Sequence, residues 1–301
     1  MTRPAGSFWP TVPEGEVEVE GADLRIVALI LSHNAPESLR RCLEAIGGQS
    51  MPPDAVLVVD NASTPPVEVS SSDGAPPMKV VRSEVNTGPA GGYAHAFEEF
   101  LTSGYDLAWP LDDDMRPEVH CLERLRIEAA KTPATAFVFP VSQQTDGSYG
   151  VWPSWCGFLI SRRIVETVGL PRADLFWWAE DTEYLQSRIP DAGYEREVAK
   201  DAVVYHDAVR RRDSLPMWKY YYEARNMLWI HLHVKRRVGR YPRSFAKLIG
   251  RALFKERKDR LRRTAVIARG LWDGARGNLG IRYPIEDLQE RSPSSTDTAA
   301  G

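Results

Sequence analysis

The feature that most constrains this chain is an alternation of short apolar runs with amphipathic stretches through its first third. Leu24–Leu31 (LRIVALIL) is a nearly continuous apolar run, as expected of a strand buried on both faces. Pro36–Ile46 (PESLRRCLEAI) follows with helical spacing, and Leu39, Cys42, Leu43 and Ile46 share one face. Ala55–Val59 (AVLVV) reads as a second buried strand ending at Asp60, and Lys79–Arg82 as a short third. Gly91–Leu101 reads as a helix opened by a glycine-rich turn. Leu107–Leu111 is a fourth strand running into Asp112, Asp113 and Asp114. Such alternation predicts a right-handed, mostly parallel α/β sheet of Rossmann-like type, flanked by helices. Ligands in such sheets sit at the carboxyl ends of strands. The polar residues at those ends are therefore the candidates for chemistry.

The chain beyond this core is organised by composition. Residues 1–23 are rich in Pro, Gly and Glu and read as a flexible extension. Residues 24–214 are expected to form the main α/β domain, with a less regular, Trp-rich pattern after residue 140. Residues 215–285 read as a helical, strongly basic region. Residues 286–301 are polar, of low complexity, and read as a disordered tail. The net charge of −3 gives the whole molecule no bias toward nucleic acid. Three scattered cysteines, Cys42, Cys121 and Cys156, lack zinc or disulfide spacing and fit a reducing cytoplasm. The N-terminus has no apolar signal core, and no apolar run approaches about 18 residues.

The sharpest chemical feature is the Asp112-Asp113-Asp114 run at a strand end. Adjacent carboxylates repel unless a cation offsets them. Hard oxygen ligands suit Mg²⁺ or Mn²⁺ held together with substrate phosphates; the plainer reading is a solvated acidic turn. Asp60, in VVDNAST, can accept hydrogen bonds from a base or ribose, or can close an Asx turn with Asn61 and Ser63. Asn86-Thr87-Gly88-Pro89-Ala90-Gly91-Gly92 lets backbone approach a ligand, or simply packs a helix on the sheet. No GKS or GKT follows, so it is not a Walker loop. Phe176-Trp177-Trp178-Ala179-Glu180-Asp181 joins sugar-stacking aromatics to two carboxylates, one able to take a proton from a hydroxyl. It reads equally as a core cluster beside a helix N-terminus. His206, after AVVY, reads as a metal or phosphate contact, or as a structural histidine.

Taken in order, these segments resemble the family 2 glycosyltransferases of GT-A fold. The resemblance runs from Ile26 to His206 through SHN, VVDNAST, NTGPAGG, LDDD, CGFLISRRIVETVGL, EDTEY and VVYHD. It implies that Asn34 and Asp60 line the nucleoside pocket and that Asn86 lies near the ribose or diphosphate. Asp112 and Asp114 match the DxD motif that holds a divalent cation and the donor diphosphate, with Asp113 sharing that role. His206 matches a histidine that completes the metal site. Asp181 matches the catalytic base, while Trp177, Trp178 and Glu180 fall where acceptor contacts lie. The segments GGYAHAFEEFLTSGYDLAWPLDDDM and YYYEARNMLWI look most like bacterial galactofuranosyl- and rhamnosyltransferases. One departure is SHN, where TYN or THN is commoner.

The resemblance implies an inverting transfer from UDP-galactofuranose or dTDP-rhamnose to a hydroxyl of a cell-wall or surface polysaccharide or glycolipid. From Lys235 to Arg263, Lys and Arg dominate, and only Glu256 and Asp259 oppose them. Interleaved apolar residues make this region suited to an anionic membrane surface, or to packing on the main domain. The expected location is thus the cytoplasmic face of the membrane, beside a lipid-linked or polysaccharide acceptor. Two alternatives stand beside this reading. A nucleotidyltransferase usually carries a basic glycine-rich loop after its first strand, where this chain has SHNAPES. A binding module that has lost catalysis needs no base together with a metal site.

Overall fold

The computed structural model describes residues 24–69, 74–207, 216–235, 246, 248–250 and 259–282. The expected extension over residues 1–23, the expected tail over 286–301 and much of the basic stretch lie outside the described residues.

The first strands form as the apolar runs dictate. β1 (Ile26–Ser32) and β2 (Ala55–Asp60) are buried at every position. Each fully buried Val, Leu or Ile there contributes roughly 1.5–3 kcal/mol. β3 (Met78–Arg82) lies outside β2, and β4 (Leu107–Asp112) lies on the other side of β1. All of these neighbours run parallel. Helix α1 (Pro36–Gly47) turns Leu39, Cys42 and Ile46 inward, and leaves Leu43 partly buried against the same core. Helix α2 (Gly88–Thr102) buries Tyr93, Ala96, Phe97 and Phe100.

The second half of the sheet is mixed. It comprises β5 (Met115–Pro117), β6 (Phe137–Gln144), β7 (Tyr149–Gly150), β8 (Leu159–Ser161) and β9 (Glu197–His206). Among the described residues the strand order is β3-β2-β1-β4-β8-β6-β9-β5, with β7 paired to β6. β8 is antiparallel to both β4 and β6, while β9 runs parallel to β6 and antiparallel to β5. Helices α3 (Cys121–Ala129) and α4 (Arg162–Val168) flank this half.

Register places the polar ends together. Ser32 pairs with Asp60, Asp60 with Arg82, and Leu31 with Asp112. Met115 pairs with His206, which draws the end of β9 up to Asp114. Short helix α5 (Glu180–Glu183) then runs through a π turn, Tyr184–Arg188, into α6 (Ile189–Asp191). Helix α7 (Met217–Trp229) and helix α8 (Arg260–Arg276) pack on each other. No helix of the described residues is long and apolar enough to cross a membrane.

Candidate active site

The carboxyl ends of β1 and β4, the start of α2 and the turn at Phe176 enclose a cleft of about 280 Å³. It is lined by Leu31, His33, Asn61, Asn86, Gly88, Pro89, Asp112, Asp113, Asp114, Phe176 and Trp177. Five of the residues expected from sequence therefore share one space: Asn86, Asp112, Asp113, Asp114 and Trp177.

The base of the cleft is held by a buried asparagine. Asn61, 2% exposed, donates through Nδ2 to the Asn86 Oδ1 at 3.2 Å and to the Gly88 carbonyl at 3.1 Å. Its Oδ1 accepts from the Thr87 backbone at 2.9 Å. Gly88 sits at φ +68°, and a Cβ there would lie 2.1 Å from the Phe176 carbonyl oxygen. Glycine is thus required by both conformation and contact. It lets α2 meet the Phe176 turn, where the Ala90 N–H donates to that carbonyl at 3.2 Å.

The aspartates are crowded and partly desolvated. Asp112 accepts a 2.8 Å hydrogen bond from the hydroxyl of Tyr93, a fully buried residue. Burial, then the charge of Asp114, raises the Asp112 carboxyl, and Asp113 and Glu180 push it further. Asp113 accepts from the Ser32 hydroxyl at 2.6 Å, yet burial still pushes its carboxyl up to about 7. Asp114 lies 3.2 Å from the Nε2 of His206, whose Nδ1 is 2.9 Å from the Gln144 Oε1. Glu180 is 6% exposed; its Oε1 accepts from the Trp155 indole at 3.2 Å, while its Oε2 is buried with no hydrogen-bond partner. Burial, then Asp181, raises the Glu180 carboxyl, and burial raises Asp181. The charge of Glu180 thus bears on Asp112, and that of Asp181 on Glu180. Tyr93 stacks on Trp155 at 4.0 Å, so one aromatic pair holds both Asp112 and Glu180.

Such a cluster suits a cation by its chemistry: crowded hard oxygens, with Asp112 and Asp113 raised chiefly by burial and an imidazole 3.2 Å from Asp114. Among the described residues no three His, Cys, Asp or Glu side chains converge closely enough to cage an ion unaided.

The remaining candidates stand apart from the lining. Asp60 is fully buried. It accepts from the Ser63 and Val67 backbones at 2.8 and 3.1 Å and from the Arg82 guanidinium. Burial alone would raise its carboxyl, but these donors hold it below the usual carboxylate range. In the structure, then, Asp60 organises the loop after β2 as an Asx turn does. Asn34, at φ +52°, is tied to that loop, accepting from the Thr64 backbone at 2.7 Å. Trp178 is 40% exposed on the rim beside Trp177, their rings 5.0 Å apart. Sequence reading missed Asn61, Tyr93 and Trp155 as supports of the site. The signal for Tyr93 was its place directly after the glycine-rich segment, on the inner face of α2.

Strand order, the mixed sheet and the acidic cleft at the parallel strand ends together define a glycosyltransferase of GT-A fold. Similar solved structures include Staphylococcus aureus TarS, with a TM-score of 0.54, 15% identity, and coverage of 89% of this chain and 50% of that one. The mannosyltransferase PcManGT of Pyrobaculum calidifontis, in complex with GDP-Man and Mn²⁺, gives a TM-score of 0.51 at 15% identity over 94% of this chain and 81% of that one. The sequence model of glycosyl transferase family 2 matches residues 28–191, more than half of the 301 residues. The chain belongs to that family. Membership sets aside the nucleotidyltransferase alternative. The galactofuranosyltransferase GlfT1 of Mycolicibacterium smegmatis is 32% identical over 116 residues, 38% of each chain. That of Mycobacterium tuberculosis is 31% identical over 91 residues, 30% of each. The matches thus span about a third of the length of these relatives.

Proposed function

We propose that this chain is an inverting, metal-dependent transferase that moves a sugar from a nucleotide diphosphate to a hydroxyl of a cell-wall or surface polysaccharide or glycolipid. The observation that carries it is the cleft that brings Asn86, Asp112, Asp113, Asp114 and Trp177 together, with His206 3.2 Å from Asp114. UDP-galactofuranose is favoured as donor by the two GlfT1 likenesses, with dTDP-rhamnose next. Residues 24–214 are the catalytic domain, and 215–285 support it.

In this reading Asn86 and Asp113 face the donor, and Asn34 and Asp60 shape the loop against its nucleoside. Asp112, Asp114 and His206 would hold Mn²⁺ or Mg²⁺, whose Lewis acidity offsets charge developing on the departing diphosphate. Trp177 and Trp178 stack on acceptor sugar rings, and Glu180 adds an acceptor contact. Asp181 takes the acceptor proton as that oxygen attacks the anomeric carbon and the sugar–phosphate bond breaks, inverting the configuration. Burial raises its carboxyl, the direction that strengthens a base. The exposed arginines of α8, with Leu261 and Trp272, fit contact with an anionic membrane on the cytoplasmic side.

The test is thermal stabilisation and nucleotide release with UDP-galactofuranose and dTDP-rhamnose, with and without Mn²⁺. Asp181→Asn is expected to abolish transfer while keeping stabilisation by donor. Asp114→Ala is expected to remove only the Mn²⁺-dependent part of that stabilisation. Full transfer in a chelator, or equal loss of donor affinity in Asp181→Asn, would overturn the respective assignments.

A further inference from the structure

The turn that delivers Glu180 and Asp181 has a backbone that its residues resist. φ is +61° at Phe176, +74° at Trp178 and +63° at Ala179. None of these is the glycine or asparagine that adopts such angles readily. A conformation of this kind persists only where its surroundings over-determine it.

The surroundings come from α7, some fifty residues later. The Asn226 side-chain amide donates to the carbonyls of Leu175, Trp177 and Trp178 at 3.0, 2.9 and 2.7 Å. Arg225 adds a 2.8 Å hydrogen bond to the Leu175 carbonyl. Its Nε donates to the Asn226 Oδ1 at 2.8 Å, which fixes the amide with its NH₂ toward the turn. Both side chains are fully buried. Apolar packing of α7 on the turn is supplied separately, with Tyr222 against Phe176 at 4.8 Å and Trp218 against Trp177 at the same distance. Docking of α7 therefore does not need the amide, whereas the path of the carbonyls does.

We propose that Asn226, oriented by Arg225, is a positioning residue for the reaction: it clamps the Phe176–Ala179 turn and so sets where the Asp181 carboxylate meets the acceptor hydroxyl. The inference rests on the reading of Asp181 as the base. Displacing a reacting group by about 1 Å can cost on the order of 100-fold in rate. The donor-facing Asn86 and Asp113 lie on other segments, and the Phe176 carbonyl is tied to α2 through the Ala90 N–H independently of Asn226.

The experiment measures transfer from UDP-galactofuranose or dTDP-rhamnose, whichever the full chain turns over, and binding of UDP or dTDP with Mn²⁺. Asn226→Ser is expected to lower kcat by about 100-fold, with nucleotide Kd within about twofold. Adding Ala179→Gly, where glycine accepts φ +63° freely, is expected to restore at least tenfold of that loss. A residue that serves only packing would show a lower Tm and no rescue by glycine. If Asn226→Ser does not fold, Arg225→Lys reads the clamp from its other end by losing the Nε bond, with a fall in kcat of about tenfold. A wild-type kcat in whichever variant folds, parallel loss of nucleotide affinity, or absent rescue would overturn the clamp. Asp181→Asn is run alongside: if it transfers normally the base assignment falls, and if it is inactive while Asn226→Ser is normal only the clamp falls.

Discussion

Asp113 has a carboxyl that burial pushes up to about 7, even though Ser32 donates a hydrogen bond to it. An unfolded aspartate titrates near 3.9. Between those two values the folded chain holds a proton that the unfolded chain has lost. Stability therefore falls as pH rises from about 4 to about 7, the reverse of the usual salt-bridged aspartate. Without divalent cation, Tm is expected to decline across that window, and Asp113→Asn to make the decline shallower. Scanning fluorimetry at a series of pH values reads this, and identical slopes in the two proteins would remove Asp113 from the account. The acidic run itself was legible in the sequence, because three carboxylates after a buried strand have few uses. Tyr93, Trp155 and Asn61 were not, since each gains its meaning from a partner on another element.

At the scale of elements, α7 is gripped from both sides. On one side it holds the Phe176–Ala179 turn; on the other it meets α8 through glycines. A Cβ at Gly270 would lie 2.5 Å from the Tyr221 carbonyl, and one at Gly274 would lie 2.4 Å from that of Arg225. Those contacts are with backbone, so nothing flexible can give way. Gly274→Ala is expected to cost about 1–3 kcal/mol by overpacking, lowering Tm by several degrees. Transfer should fall with it, because the Arg225 backbone that would be displaced belongs to the clamp. Gly47→Ala is the control, as its Cβ would meet nothing within 4 Å. Unchanged Tm in Gly274→Ala would show the helices to be loosely joined. The strands β1, β2 and β4 and helix α1 were legible within a residue or two, since buried parallel strands and amphipathic helices write strong periods. β5, β7 and β8 span three residues or fewer, too short for any period. The turn at Phe176 was illegible for a different reason: its residues disfavour its geometry, and Asn226 imposes it.

For the whole molecule, the sheet and cleft account for donor chemistry but leave one face of α8 without a task. Among the described residues, Arg263, Ile267, Gly270 and Gly274 turn inward. Leu261, Ala265, Ala268 and Trp272 recur at helical spacing on the opposite side, with Leu261 89% and Trp272 60% exposed. Arg262, Arg269 and Arg276 run alongside that strip, and the Arg276 guanidinium lies over the Trp272 ring. The only acid of the helix, Asp273, instead accepts a hydrogen bond from the Tyr221 hydroxyl. An apolar strip bordered by arginines on a chain of net charge −3 is a local feature, not a consequence of overall composition. It matches the interfacial helix that lies in the headgroup layer of an anionic membrane. Each basic residue near such a surface contributes about 1 kcal/mol, and salt weakens that attraction. The full chain is therefore expected to sediment with vesicles containing phosphatidylglycerol, to do so less as salt rises, and to ignore vesicles of phosphatidylcholine alone. Trp272→Glu with Leu261→Glu is expected to weaken vesicle binding at least tenfold while leaving nucleotide affinity unchanged. Binding that is indifferent to lipid charge and to both substitutions would assign that face another partner and leave the cleft chemistry as it stands.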